Sequence, residues 1–260
     1  MTPPDFIIAL FYAVAQEMPD VPKHPEAKLY PSEVVTLALL YASKGGGTRA
    51  CYRGLTRAYL ALFPHVPERT RLARLCKTHT AWTTRLLAVP PVRGVADTYG
   101  IAWSHPMRAG RSPNQIGKKG KSKPRWMVGG KLGFVLNQWG LICAWDCATA
   151  HGHDTHLHPL LAQFANLMIV LTDTGFQAKT GDPANMKGGQ RGTWTTRMLV
   201  ETVVSRLTTV LHSKRVSHRV WAYFRARVGW TMAAFNLVAR WGLEIEDENM
   251  VRLSIAAFSL

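Results

Sequence analysis

The chain has 260 residues, 47% of them hydrophobic, which is enough to bury a full core as one large domain or two modest ones. Its 32 Lys and Arg against 16 Asp and Glu give a formal charge of +16, which calls for a polyanionic partner, nucleic acid first and a membrane surface second. No apolar run reaches the roughly 18–20 residues of a spanning helix, which excludes a protein built around a helical membrane span.

Residues 6–16 predict a helix and not a signal peptide, because the apolar run is short and follows Asp5 rather than a basic segment. Pro31, Ser32 and Glu33 mark a second helix start ahead of the apolar stretch 34–41, and Gly45, Gly46 and Gly47 stop it. Two more helices are expected over 53–62 and 68–87. With twelve basic and six acidic residues in the first 93, this part can either touch DNA or serve as a packing domain with solvated arginines.

Pro90 and Pro91 mark the boundary between a helical N-terminal domain, 1–90, and a second domain, 91–260. Residues 92–103, 126–136 and 140–149 have the β-branched and aromatic content of strands, the last two joined by a hairpin turn over 137–140. Residues 108–125 carry seven Lys or Arg and no acid, and predict a mobile loop. A helix over 154–166 comes next, then a fully apolar strand over 167–172 that implies a central, covered place in a sheet. Two long helices over 193–212 and 216–241 complete an α/β layered pattern. The four cysteines form no Cys-x2-Cys pair, so free thiols in a reducing cytoplasm are expected.

Three acids stand out. Asp97 lies within the first predicted strand, Asp173 ends the apolar strand, and Glu201 sits on the first long helix. From Asp97 to Gly242 there are six acidic residues against nineteen Lys and Arg, and these are three of the six. Cutting or transferring a phosphodiester requires a neutralised phosphate and an activated oxygen nucleophile. Two hard cations about 3.5–4 Å apart supply both, held by a few carboxylates of which one is shared. Taken singly, Asp173 can be only a turn or helix cap, and Glu201 only the solvated partner of Arg197. Asp97 is harder to dismiss, since an unpaired carboxylate within a strand is costly.

Other polar clusters leave alternatives open. His151, His153, His156 and His158 surround Asp154, and a zinc hydrolase built on His151, His153 and Asp154 is one reading, although no His-x3-His pair with a separate third ligand is present. Lys131 can point toward a scissile phosphate or be a flanking surface lysine, and Arg197 can orient Glu201 or hold DNA. Lys118, Lys119, Lys121, Lys123 and Arg125 of the basic segment are candidate contacts to backbone phosphates. So are Lys214 and Arg215, on a face shared with His218, Arg219 and Arg227. Trp221, Trp230 and Trp241 recur among apolar neighbours at helical spacing and are expected in the core.

The order of these features resembles the DDE transposases of small bacterial insertion sequences. The resemblance rests on Ser32-Glu33-Val34-Val35-Thr36, Asp97, the basic Gly-Lys stretch, Gly129-Gly130-Lys131-Leu132, Ala148-x5-Asp154, Thr172-Asp173-x-Gly175-Phe176, Asn185-Met186-Lys187 and Arg197-x3-Glu201-Thr202. It implies an RNase H-like catalytic domain, a central mixed sheet flanked by helices, behind a helical N-terminal domain for DNA-end or subunit contacts. It implies Asp97, Asp173 and Glu201 as the catalytic, metal-binding residues, two Mg2+ ions with Mn2+ as substitute, and Asp154 as support of the active-site wall. The implied activity is cleavage at element ends and joining of the freed 3′-hydroxyl to target DNA, by a homodimer in the bacterial cytoplasm at the nucleoid. The chain departs from the family pattern in having only 27 residues between Asp173 and Glu201, and Phe176 and Trp194 where tyrosines are usual. Two alternatives therefore stay open, a catalytically inactive DNA-binding relative and a metal-dependent endonuclease that cuts without joining.

Overall fold

The computed structural model describes residues 3–45, 47–111, 115–122, 125–189, 195–216, 218 and 220–245, with the side chains of 122, 125, 195–197 and 242–245 outside that description. The first helix, α1 (Pro3–Glu17), packs on α2 (Pro31–Lys44). Pro31 brings no N–H to the first turn of α2, and Glu33 accepts the Tyr30 backbone N–H at 2.7 Å, so the start of that helix is capped as its sequence predicts. It ends at Gly45, whose φ of 60° favours glycine and whose missing side chain leaves room for the ring of His212.

Two more helices follow, α3 (Thr48–Ala58) and α4 (Arg69–Thr78), and then the short α5 (Ala81–Arg85). The single helix expected over 68–87 is thus broken at His79 and Thr80. There the hydroxyls of Thr78 and Thr80 donate to the carbonyls of Leu75 and Lys77 and compete with the helical ladder.

The chain then enters β1 (Arg93–Ser104), β2 (Lys118–Ser122), β3 (Arg125–Asn137) and β4 (Ile142–Thr149), followed by a 3-10 turn Asp154–Leu157 and α6 (His158–Ala162). After these come β5 (Ile169–Thr172), a 3-10 turn Thr174–Phe176, β6 (Met186–Gly188), α7 (Thr195–Thr209) and α8 (Trp221–Ile245). The helix expected over 154–166 is therefore shorter and begins as a 3-10 turn. The last helix begins at Trp221 rather than at 216.

Among the described residues, six strands make one mixed sheet in the order β2-β3-β1-β5-β6, with β4 also on β3. The antiparallel partners β3 and β4 are joined through the turn at 137–140, where Asn137 Oδ1 accepts the N–H groups of Trp139 and Leu141. The apolar β5 runs parallel to β1 and lies between β1 and β6, the central position its composition implies, but it is shorter than expected and only partly covered, with Ile169 exposed and Leu171 half-buried. Residues 108–125 correct the expectation of a loop throughout. Lys118–Ser122 is a strand, antiparallel to the first five residues of β3. Gly120 permits this, because a Cβ there would fall 2.0 Å from the Ala150 carbonyl oxygen.

Helices cover both faces of the sheet. On one face Leu157 fills the space over Gly133, and on the other α8 sets Phe224 and Trp221 against Trp103 of β1. The helix α8 also packs on α2, α4 and α5, and it carries Asn236, a fully buried amide. Asn236 Oδ1 accepts the Ile142 N–H at 2.8 Å, while Nδ2 donates to the carbonyls of Ile142 at 2.8 Å and Leu86 at 3.3 Å. One side chain thus ties the helical segment before Pro90 to the sheet after it, and one buried cluster runs through both. Trp230 is buried, with Trp221 and Trp241 packed against that cluster. All four cysteines are free, Cys143 and Cys147 buried and Cys51 and Cys76 half-buried. No helix among the described residues is long and apolar enough to cross a membrane.

Candidate active site

Strand alternation puts Val95, Asp97 and Tyr99 on one face of β1. Tyr99 donates its hydroxyl to Ser213 Oγ, 3.1 Å away in the turn that follows α7, so this is the face over which α7 lies. The helix seats itself there through Val200, Val203 and Leu207, all buried and at helical spacing. The parallel register of β1 and β5 pairs Val95 with Leu171. Asp97 lies two residues beyond Val95 within β1, and Asp173 two residues beyond Leu171, just past the end of β5. Asp97 is half-buried, with Oδ1 accepting the Thr98 N–H at 2.6 Å, and Asp173 is exposed. Asp173 also caps the 3-10 turn after it, accepting the Gly175 N–H, so the capping role open to it from sequence is present as well.

A second acid reaches the same turn from the opposite face of β1. Asp154 Oδ1 accepts from Thr98 Oγ1 at 3.2 Å and pairs with Lys131 Nζ at 2.8 Å. Lys131 in turn donates to the Gly152 carbonyl at 2.9 Å. Gly175 lies between the two carboxylates. A Cβ added there would stand 2.8 Å from Asp154 Oδ2 and 3.0 Å from Asp173 Oδ1. The turn is tied down further by His158, whose Nε2 contacts the Phe176 carbonyl at 2.6 Å. Sequence reasoning placed Asp154 at this wall but missed Thr98 and Gly175 as the residues through which it touches β1 and the Asp173 turn. The Thr-Asp-x-Gly spacing was the available signal.

Glu201 is exposed on α7. Among the described residues, no three His, Cys, Asp or Glu side chains gather where one ion could bind them. Asp97 and Asp173 thus belong to neighbouring parallel strands or their immediate ends, and Glu201 to the helix over the same face. Hard oxygen donors of this kind suit Mg2+ or Mn2+. The histidine cluster is dispersed, with His151 Nδ1 against Thr149 Oγ1 at 2.7 Å and His158 turned to Phe176.

Of the basic candidates, Lys118, Lys119 and Lys121 are exposed along β2, with the Lys119 ammonium 5.3 Å from the centre of the exposed Trp126 ring. Lys214 and Arg215 are exposed, and Lys214 stands over the Tyr99 ring on the Asp97 face. Lys131 turns inward to Asp154, as described. Lys123 lies outside the described residues, as do the side chains of Arg125 and Arg197, whose backbones belong to β3 and α7. Arg227 departs from the face expected to meet backbone phosphates: it is buried against Tyr41, because α8 turns that position toward α2. No protein-family model matches the chain, and no curated protein does so.

Proposed function

We propose that the chain is a metal-dependent DNA transposase of the DDE type, with an RNase H-like domain behind N-terminal helices. The observation that carries this reading is that β1, which holds Asp97, runs parallel beside β5, which ends one residue before Asp173, on the sheet whose face α7 covers. The strand order supports it too: β4, β3 and β1 are mutually antiparallel in series, and β5 and β6 continue in parallel.

In this reading Asp97, Asp173 and Glu201 would hold Mg2+. Bound Mg2+ supplies charge neutralisation at the phosphate and activation of the attacking oxygen, water for cutting and a DNA 3′-hydroxyl for joining. The Lys131–Asp154 pair braces the wall beside Asp173. The lysines of β2, with Lys214 and Arg215, neutralise backbone phosphates and position the duplex. A homodimer handles two element ends together. The short stretch of 27 residues between Asp173 and Glu201 favours a second reading, an inactive DNA-binding relative.

One experiment separates them. Plasmid DNA that carries the gene with its flanks is incubated with Mg2+ and the wild-type chain, or with Asp97→Asn, Asp173→Asn or Glu201→Gln. Discrete end cuts and joined products from wild type, both lost in each variant while binding persists, support the transposase. End cuts without joined products point to an endonuclease. Binding without cutting in Mg2+ or Mn2+ rejects both and leaves the inactive relative.

A further inference from the structure

Between α2, α3, α4 and α8 lies a partly open pocket of about 80 Å³. Leu37, Leu40, Leu55, Leu72 and Trp230 give it apolar walls, and five basic side chains, Lys44, Arg69, Lys77, His218 and Arg227, also line it. Among the described residues that line it there is no Asp or Glu. Arg227 is only 7% exposed, and its Nη2 has no hydrogen-bond partner; the buried Nδ1 of His218 has none either.

Three of the cations rest on tyrosine rings instead of carboxylates. Lys44 lies 4.8 Å from the ring centre of Tyr59, Lys77 5.2 Å from that of Tyr223, and Arg227 4.6 Å from that of Tyr41. A ring face attracts a cation but supplies no formal charge. The acidic hydrogens nearby supply none at neutral pH. Burial pushes the Tyr41 phenol and the Cys51 thiol above their ordinary values, and the Cys76 thiol up to about 12. The cavity therefore concentrates positive charge beside apolar walls, and a buried cation without a counter-charge is costly.

We infer that this cavity binds a small organic anion, one acidic group on a compact apolar body, with the acid on Arg227 and His218 and the body against the leucines and Trp230. The site is separate from the aspartate pair and does not depend on the DNA reading.

Phenyl phosphate is the probe, with inorganic phosphate lacking the apolar body and benzyl alcohol lacking the charge. Titration calorimetry on the full chain should show phenyl phosphate binding about tenfold tighter than either control, since both parts of the site contribute. Arg227→Gln should weaken it by about tenfold. Because that substitution disturbs a buried residue, Ala73→Phe serves as a second variant that fills the cavity while keeping every charge, and it should abolish binding with an unchanged far-UV spectrum. No binding of phenyl phosphate overturns the inference. Equal binding of inorganic phosphate reduces the site to surface charge, equal binding of benzyl alcohol to an apolar void, and binding that survives Ala73→Phe moves it elsewhere; each overturns it too.

Discussion

Lys131 Nζ stands 2.8 Å from Asp154 Oδ1, with the two side chains only 16% and 20% exposed. The pair fastens the middle of β3 to the 3-10 turn after β4, and through Asp154 to Thr98 and the Asp173 turn. Removing one partner strands the other charge in a mostly dry place. Lys131→Met should cost about 1–3 kcal/mol in urea unfolding, and the double variant Lys131→Met with Asp154→Leu should recover part of the loss.

Gly175 separates two carboxylates by the width of a missing side chain. Gly175→Ala should leave the fold intact but press on the Asp154 and Asp173 carboxylates, and on the proposed transposase reading it should displace Asp173 from its metal-holding place. A displacement near 1 Å lowers a metal-dependent cleavage rate by about a hundredfold. Single-turnover cleavage, beside circular dichroism and DNA affinity, checks that the loss is confined to the chemical step.

Asn236 satisfies three backbone groups at the junction of helices and sheet. Asn236→Ala leaves the Ile142 N–H and carbonyl without that partner in a sealed location, and should destabilise the chain by about 2–4 kcal/mol. A single cooperative transition at a lower urea midpoint is the expected form, since α8 belongs to both parts.

Burial, and secondarily the Arg227 charge, hold the His218 imidazole down to about 4. Its unfolded value is near 6.5, so between those two pH values the unfolded chain binds more protons than the folded one. Stability from this group is complete above about pH 6.5 and drains away as pH falls toward 4. His212 is lowered as well, by burial and then by Arg215 and Arg227, and acts with the same sign. Urea midpoints at stepped pH should fall more steeply for wild type than for His218→Gln.

Lys118, Lys119 and Lys121 lie along one exposed strand. If all three meet phosphates, their replacement by Gln should reduce the slope of log K against log salt by about 0.9 per lost contact, with little change in sequence preference. Fluorescence anisotropy over a salt series measures both quantities. An unchanged slope would remove β2 from the DNA surface.

The features legible in advance were those written in local pattern. Pro31 and Glu33 announce the start of α2, the turn at 137–140 announces a hairpin, and the apolar run before Asp173 announces a central parallel strand. The basic segment hid β2 because its lysines face water and its strand character comes from pairing with β3, which no short window contains. The three residues of β6 are too few to carry a period. At the site, the places of Asp97 within β1 and Asp173 just past β5 follow from local strand pattern, whereas the Lys131–Asp154 pair depends on how a turn folds back over the sheet. For Arg227, helical spacing alone does not say which side of α8 meets α2.

The clasp formed by Asn236 has a consequence for vectorial synthesis. The ribosome makes α8 after every element it seals, so α2, α5 and β4 emerge with their shared seam still open. Until residues 221–245 are out, the apolar flanks of that seam have only solvent or a chaperone to meet. Ribosome-bound chains halted before residue 221 should therefore be sensitive to protease along both sides of the seam, and chains released with α8 should resist it as one unit.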